Sequence, residues 1–327
     1  MRVIYERCCG LDVHKKIVVA CILLTQPNGQ VQKVVRTFAT TTAGLLTLAD
    51  WLSSLQVTYV AMESTGIFWR PVFNVLEQDH SIILVNAQHM KAVPGRKTDV
   101  KDSEWLADLL RHGLLKASFI PTKPTRDLRD LVRYRKTLVY ERAQEVNRLQ
   151  KVLETANIKL ASVVSDVLGK SGRSMLAALI EGVSDAEALA KLARGSLRSQ
   201  LPQLQEALQG QVELHHRVLL QHLFAHITFL EDTIQRLQYD IEQRLSPFEE
   251  AMQLLLSIPG IQAITAAAIL GEIGSDMSRF PSAKHLASWA GVVRCITRLN
   301  IPGAARKNSK GGSWVNGLPS VERQRGR

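Results

Sequence analysis

Apolar residues fall in short blocks over the first 120 or so positions and at heptad spacing beyond them. Residues 8–13 and 17–24 are runs of strand length joined by His14-Lys15-Lys16. Pro27-Asn28-Gly29 is a turn signal ahead of residues 31–38, so the three runs predict an antiparallel meander. Thr42 is placed to cap a helix reaching about residue 55. Residues 57–62 then predict a strand, 67–78 a helix and 81–85 a further strand. After Pro94-Gly95-Arg96-Lys97, the stretch 97–110 opens an amphipathic helix with Trp105, Leu106, Leu109 and Leu110 on one side. A meander followed by alternating β and α elements is a ribonuclease-H-like α/β order. Order alone does not establish an activity.

Past Pro121 and Pro124 the period changes. Leu128, Val132, Arg135, Val139, Arg142, Val146, Leu149, Leu153, Ala156 and Leu160 sit at heptad positions of one long helix. Arg135 and Arg142 in that seam either fix register or, with Arg126, Arg129, Arg133 and Lys136, face a nucleic-acid backbone. Residues 161–203 interrupt the pattern with Gly169, Gly172, Gly182 and Gly195. It resumes at Leu220, Leu223, Ile227, Leu230, Ile234, Leu237 and Ile241, which predicts an antiparallel coiled-coil arm, paired internally or with another subunit. His222 and His226 have ligand spacing without a metalloprotease context and read as solvated or packing residues. Ser257-Ile258-Pro259-Gly260-Ile261, followed by 265–274, predicts a helix-hairpin-helix. The turn at Pro259 and Gly260 would offer backbone N–H groups to phosphate, although a plain packing unit fits the same pattern. Residues 280–292 add a capped helix, and 293–327 form a basic tail that reads as poorly ordered or frameshifted. The chain therefore divides into a catalytic-type domain (1–120), an arm (121–246), an all-α DNA-binding domain (247–292) and the tail.

Composition narrows the partners. A net charge of +11 and a pI near 9.7 point to nucleic acid. No run approaches the roughly 18 apolar residues of a membrane span, and the N-terminus lacks a signal-peptide pattern, so a cytoplasmic protein without membrane contact is expected. Cys8, Cys9, Cys21 and Cys295 show neither zinc spacing nor a disulfide framework.

The chemistry lies in the acids. Asp99 and Asp102 are three apart near a helix start, where acids also complement the helix dipole. Asp12 lies in the first strand and Glu63 just beyond the strand that follows the first helix, where a ribonuclease-H-like sheet gathers carboxylates. Phosphodiester cleavage needs an activated nucleophile and charge relief on attacking and leaving oxygens, which two Mg²⁺ ions about 4 Å apart supply. A tetrad of Asp12, Glu63, Asp99 and Asp102 offers the hard oxygen ligands Mg²⁺ prefers, with Lys97 and Lys101 beside it to hold the scissile strand.

Gly10-Leu11-Asp12-Val13-His14-Lys15, Met62-Glu63-Ser64-Thr65-Gly66 and Lys97-Thr98-Asp99-Val100-Lys101-Asp102 resemble the DEDD domain of IS110-family transposases. Residues 257–292 resemble the carboxy-terminal domain of the same family. The resemblance implies a RuvC-like catalytic domain, a coiled-coil arm used in homo-oligomeric assembly, and recombination of insertion-sequence DNA guided by a structured RNA from the element. It also implies a nucleophilic serine just past the Ala-Gly-Val turn, in an Asn-Glu-Ser-Ala-Gly-like context. Residues 293–300 contain no serine, and Thr297, Ser309 and Ser313 are the substitute hydroxyls. The expectation is a transposase whose carboxylates are kept and whose strand-transfer end is altered. The alternatives are a resolvase-type nuclease using water and a non-catalytic DNA- or RNA-binding remnant.

Overall fold

A computed structural model describes residues 2–64, 66–86 and 102–290. The chain divides into two compact units, Met1–Ile120 and Pro121–Arg327. In the first, β1 (Arg7–Val13), β2 (Ile17–Thr25) and β3 (Val31–Ala39) form the antiparallel meander. Then come α1 (Thr42–Ser54), β4 (Tyr59–Glu63), α2 (Trp69–Leu76), β5 (Ser81–Val85) and α3 (Asp102–Arg111). The sheet order is β3-β2-β1-β4-β5, with β4 parallel to both β1 and β5. A meander on one side of β1 and two parallel strands on the other is the ribonuclease-H-like arrangement. Strand β1 is therefore central and buried on both faces, which its near-continuous apolar run matches. Strand β3, at the edge, is largely exposed and carries Lys33 and Arg36, charges that discourage edge-to-edge pairing.

Alternation along the strands separates two cores. Cys9, Leu11 and Val13 of β1 join Ile22, Val60 and Met62 against α1 and α2, through Leu48, Leu52, Val72 and Leu76. On the opposite face Cys8, Cys21 and Ala61 meet Leu106, Ala107, Leu109 and Leu110 of α3. That second face is built from small side chains because α3 lies very close to it. A Cβ on Gly10 would stand 2.2 Å from the Ser103 carbonyl oxygen and 2.4 Å from the Ala107 nitrogen.

Two boundaries differ from expectation. The α1 cap is Thr41, in extended conformation, whose hydroxyl accepts from Gly44 N at 3.3 Å; Thr42 is already helical. The strand expected at 57–62 runs Tyr59–Glu63, because Gln56 turns the chain through positive φ and pairing with β5 begins opposite Ser81. Glu63 is thus the last residue of the strand.

The second unit opens with α4 (Lys123–Thr155), started by Thr122 and Pro124. Short helices α5 (Leu160–Val163), α6 (Lys170–Glu181), α7 (Ala186–Ala190) and α8 (Leu201–Ala207) precede α9 (Leu214–Gln243). Helices α4 and α9 pack antiparallel: Leu149 and Leu153 share a core with Leu220 and Ile227, whereas Leu128 shares one with Ile241. The α4 seam departs from the heptad reading where Leu138 is buried and Val139 is 42% exposed, and the helix stops at Thr155, which leaves Ala156 and Leu160 of the expected seam beyond it. Arg142, in the seam, donates to Glu231 Oε1 at 2.9 and 2.7 Å, and Arg173 pairs with Glu231 Oε2. Between Leu128 and Ile241 also pack α10 (Glu249–Leu256) and α11 (Ala263–Ile273), with α12 (Ala283–Trp289) beyond.

Helix α11 is locked to α4 by a buried acid. Arg133 grips both Glu272 carboxylate oxygens at 2.6 and 2.7 Å, and Arg129 donates to the Gly271 and Glu272 carbonyls at 2.7 and 2.9 Å. The carboxylate is 7% exposed. Its hydrogen bond holds the Arg133 guanidinium above its usual range.

Two outcomes are expected on urea unfolding. Gly10→Ala should cost about 3 kcal/mol, because backbone on both sides cannot yield to the added methyl. Glu272→Ala should cost the second unit about 3 kcal/mol by stranding its arginines, whereas Asp127→Ala, which removes an exposed pair with Lys123, should cost under about 0.5 kcal/mol. Equal losses for the two acids would show that the Glu272 cluster is only surface electrostatics.

Candidate metal centre

The register of the sheet brings two of the expected acids together. Leu11 of β1 lies opposite Met62 of β4 in a parallel pair, so the next residues, Asp12 and Glu63, are neighbours at the carboxyl ends of adjacent strands. Both alternate with residues of the α3-facing core: Asp12 with Cys8 and Gly10, and Glu63 with Ala61. Helix α3, which rests on that face, begins at Asp102. Gly10 is what lets its first turn sit down on the strand that carries Asp12.

Asp12 is partly exposed, at 28% for the side chain, and its Oδ2 lies 3.1 Å from His14 Nε2. His14 stands in the turn between β1 and β2, and its backbone N donates to the Ile17 carbonyl at 2.9 Å. The same strand turn therefore supplies both an acid and its imidazole partner. A histidine two residues after an acid was the signal for this contact in the sequence.

Oxygen donors from carboxylates suit a hard divalent cation with retained water. The donor types and their placement on one face fit such an ion. Among the described residues no three acidic, histidine or cysteine side chains stand close enough together to hold one. The fourth expected ligand, Asp99, lies outside the described residues, as do Lys97 and Lys101. Thr297, Ser309, Ser313 and the rest of the 293–327 tail lie outside them too.

The expected nucleic-acid contacts of the second unit are placed as follows. Arg126 donates to the Pro121 carbonyl at 2.9 Å. Arg133 is held by Glu272, and Arg135 lies in the seam, where burial lowers its pKa and its Nε has no hydrogen-bond partner. Pro259 and Gly260 are exposed in the turn joining α10 to α11. Ile261 N donates to the Ile258 carbonyl at 3.1 Å, and Gly260 has φ 88°, the geometry of a type II turn with Pro and Gly at its centre.

Residues 9–158 match a family model described as a transposase, the DEDD transposase of IS110, and residues 252–297 match the transposase IS116/IS110/IS902 family. The two matches together take in more than half of the chain, in the family's order. The chain belongs to the IS110 family of transposases. The second family match runs to residue 297, past Val292, where the sequence changes character. Among solved structures, the chain is similar to Fowlpox virus resolvase in complex with substrate Holliday junction DNA. The identity is 13% and the TM-score 0.21, over 28% of this chain and 65% of the resolvase chain, just under two thirds of its length. Similarity to Thermus thermophilus RuvC is 14% in identity with a TM-score of 0.23, over 36% of this chain and 85% of RuvC. No curated protein matches. It is the strand order, and not these scores, that marks the sheet of this IS110-family chain as ribonuclease-H-like.

No described helix is long and apolar enough to cross a membrane. The thiols beneath the centre are inert by burial. Desolvation pushes Cys8 up to about 12 and Cys21 up to about 11 from an ordinary 9.0, and raises Cys9 well above it. A raised thiol binds its proton more tightly in the folded chain, so stability holds below about pH 9 and falls as pH climbs through the folded values. At pH 8, mass spectrometry after iodoacetamide treatment should find Cys8, Cys9 and Cys21 unmodified in the native protein and alkylated once urea is added. Native labelling of Cys8 or Cys21 would contradict the packing of α3 on the sheet, and native labelling of Cys9 the packing of α1 and α2 on the other face.

Proposed function

We propose that this chain is a DNA recombinase of the insertion-sequence type, cutting phosphodiester bonds with a divalent cation, Mg²⁺, held by Asp12, Glu63, Asp99 and Asp102. The observation that carries the reading is the side-by-side placement of Asp12 and Glu63 at the ends of adjacent parallel strands, on the face where α3 begins with Asp102. Bound there, Mg²⁺ would supply charge relief to the attacking and leaving oxygens. The four carboxylates would bind the ion and set its position against the strand. His14 holds Asp12 by one oxygen, which leaves the other for the ion. Lys97 and Lys101, next to the acids in the chain, would hold the scissile phosphate.

Phosphate contacts away from the centre are assigned to the exposed Pro259-Gly260 turn, through the Gly260 N–H, and to Arg126 on α4, whose guanidinium also donates to the Pro121 carbonyl. Arg133 and Arg135 would contribute mainly through the field they add, since Arg133 is held by Glu272 and Arg135 is partly buried in the seam. A structured RNA from the element as guide, and assembly of copies through the long helices, complete the reading; the net charge of +11 supports the first and the length of α4 and α9 the second.

A second reading is favoured by one sequence observation. Residues 293–300 lack a serine, so water could replace a side-chain hydroxyl as nucleophile. The two readings part on incubation of the full chain with supercoiled element-junction DNA, the element's transcript and Mg²⁺, with products run before and after protease. Protein-linked DNA supports strand transfer through Thr297, Ser309 or Ser313, and free nicks support the nuclease. In either case Asp12→Asn and Asp102→Asn should each slow cleavage by about 1,000-fold, the equivalent of about 4 kcal/mol of lost charge stabilisation. Bound but uncut DNA under every metal tried would leave a non-catalytic binder and end the enzymatic proposal.

A further inference from the structure

Ser103 follows Asp102 in the first turn of α3 and is 0% exposed. Its hydroxyl is shielded from solvent and has no hydrogen-bond partner among the described residues. Leaving a buried donor unpaired destabilises the fold, and alanine at the same place would fill the helix face without that penalty.

The position of the orphan is informative. With Leu106, Ala107 and Leu110, Ser103 lies on the side of α3 turned to the sheet, and its backbone carbonyl lies over Gly10. The next residue of β1 on that face is Asp12, about 7 Å further along the strand. Asp12 uses Oδ2 toward His14, and its Oδ1 has no hydrogen-bond partner among the described residues. The strand position beneath Ser103 and the one that carries the open carboxylate oxygen are thus one step apart on the same face of β1, toward the end of the sheet where α3 begins with Asp102.

We propose that Ser103 is a positioning residue: its hydroxyl donates to the Asp12 carboxylate when that carboxylate turns onto a bound divalent cation. Residues that hydrogen-bond metal ligands orient them and raise their affinity for the ion, typically 10–100-fold. A hydroxyl with no acceptor inside the described fold is a donor kept for that bond. This inference rests on the carboxylate-centre reading given above.

The test uses the full chain and Mn²⁺ as probe, followed by electron paramagnetic resonance, together with thermal unfolding of the metal-free protein. Ser103→Ala is expected to weaken Mn²⁺ binding by about tenfold, with the metal-free melting temperature unchanged or raised. Ser103→Cys, similar in size and a weaker donor, should fall between the two. Unchanged Mn²⁺ affinity in Ser103→Ala would overturn the proposal. So would a lowered metal-free melting temperature, since that is the mark of a purely structural hydroxyl. Asp12→Asn separates the two levels. If the unaltered chain binds Mn²⁺ and Asp12→Asn does not, the centre stands and the Ser103 result decides the inference. If the unaltered chain binds no Mn²⁺, the centre itself fails and the inference falls with it.

Discussion

The contact between the first turns of α3 and the middle of β1 governs the catalytic-type unit. Gly10 is there because a methyl group would collide with backbone atoms of Ser103 and Ala107, not because the strand needs unusual dihedrals. Removing one side chain from the central strand brings helix and sheet to backbone contact. Cys21 and Ala61, its register partners on β2 and β4, are small for the same reason. The helix is thereby seated so that its first residue, Asp102, enters at the end of the sheet where Asp12 and Glu63 stand.

The second unit relies on a different device. Its two long helices are joined by apolar side chains at either end, and charged pairs stand between these patches. Glu231 accepts from Arg142 on the neighbouring long helix and from Arg173 on α6, tying the short helices to the arm. Glu272 plays the equivalent part for the last helices, accepting from α4. Glu231 and its arginines are about a third exposed, whereas the Glu272 carboxylate is buried, so removing it strands charge inside the fold.

Much of this arrangement was legible in the residues because it follows simple periods. Alternation and turn signals foretold the meander, and the seven α9 seam positions from Leu220 to Ile241 are all buried or half-buried. What escaped depends on contacts between distant segments. The choice of Leu138 over Val139 is made by the facing helix, and nothing local distinguishes them. Nothing near Arg133 in the sequence points to its carboxylate partner, which stands 139 residues away. The choice of Thr41 over its neighbour as cap follows from one backbone dihedral pair. The places of Asp12 and Glu63 near the ends of their strands were readable from the apolar runs, whereas a buried serine with no partner among the described residues resembles any other buried serine.

The parallel pairing of β1 with β4 has one further consequence. The distance between the Asp12 and Glu63 backbones is a property of the hydrogen-bond ladder, about 4.8 Å between neighbouring strands, and side-chain packing cannot tune it gradually. Pairing in a sheet moves only in whole residues, and a slip of one would turn the carboxylates to opposite faces, one toward α3 and the other toward α1 and α2. The geometry of this acid pair is therefore discrete. Small insertions or deletions in the loops that connect β1 to β4 can change how fast the correct alignment is found, but they cannot produce a centre of intermediate spacing.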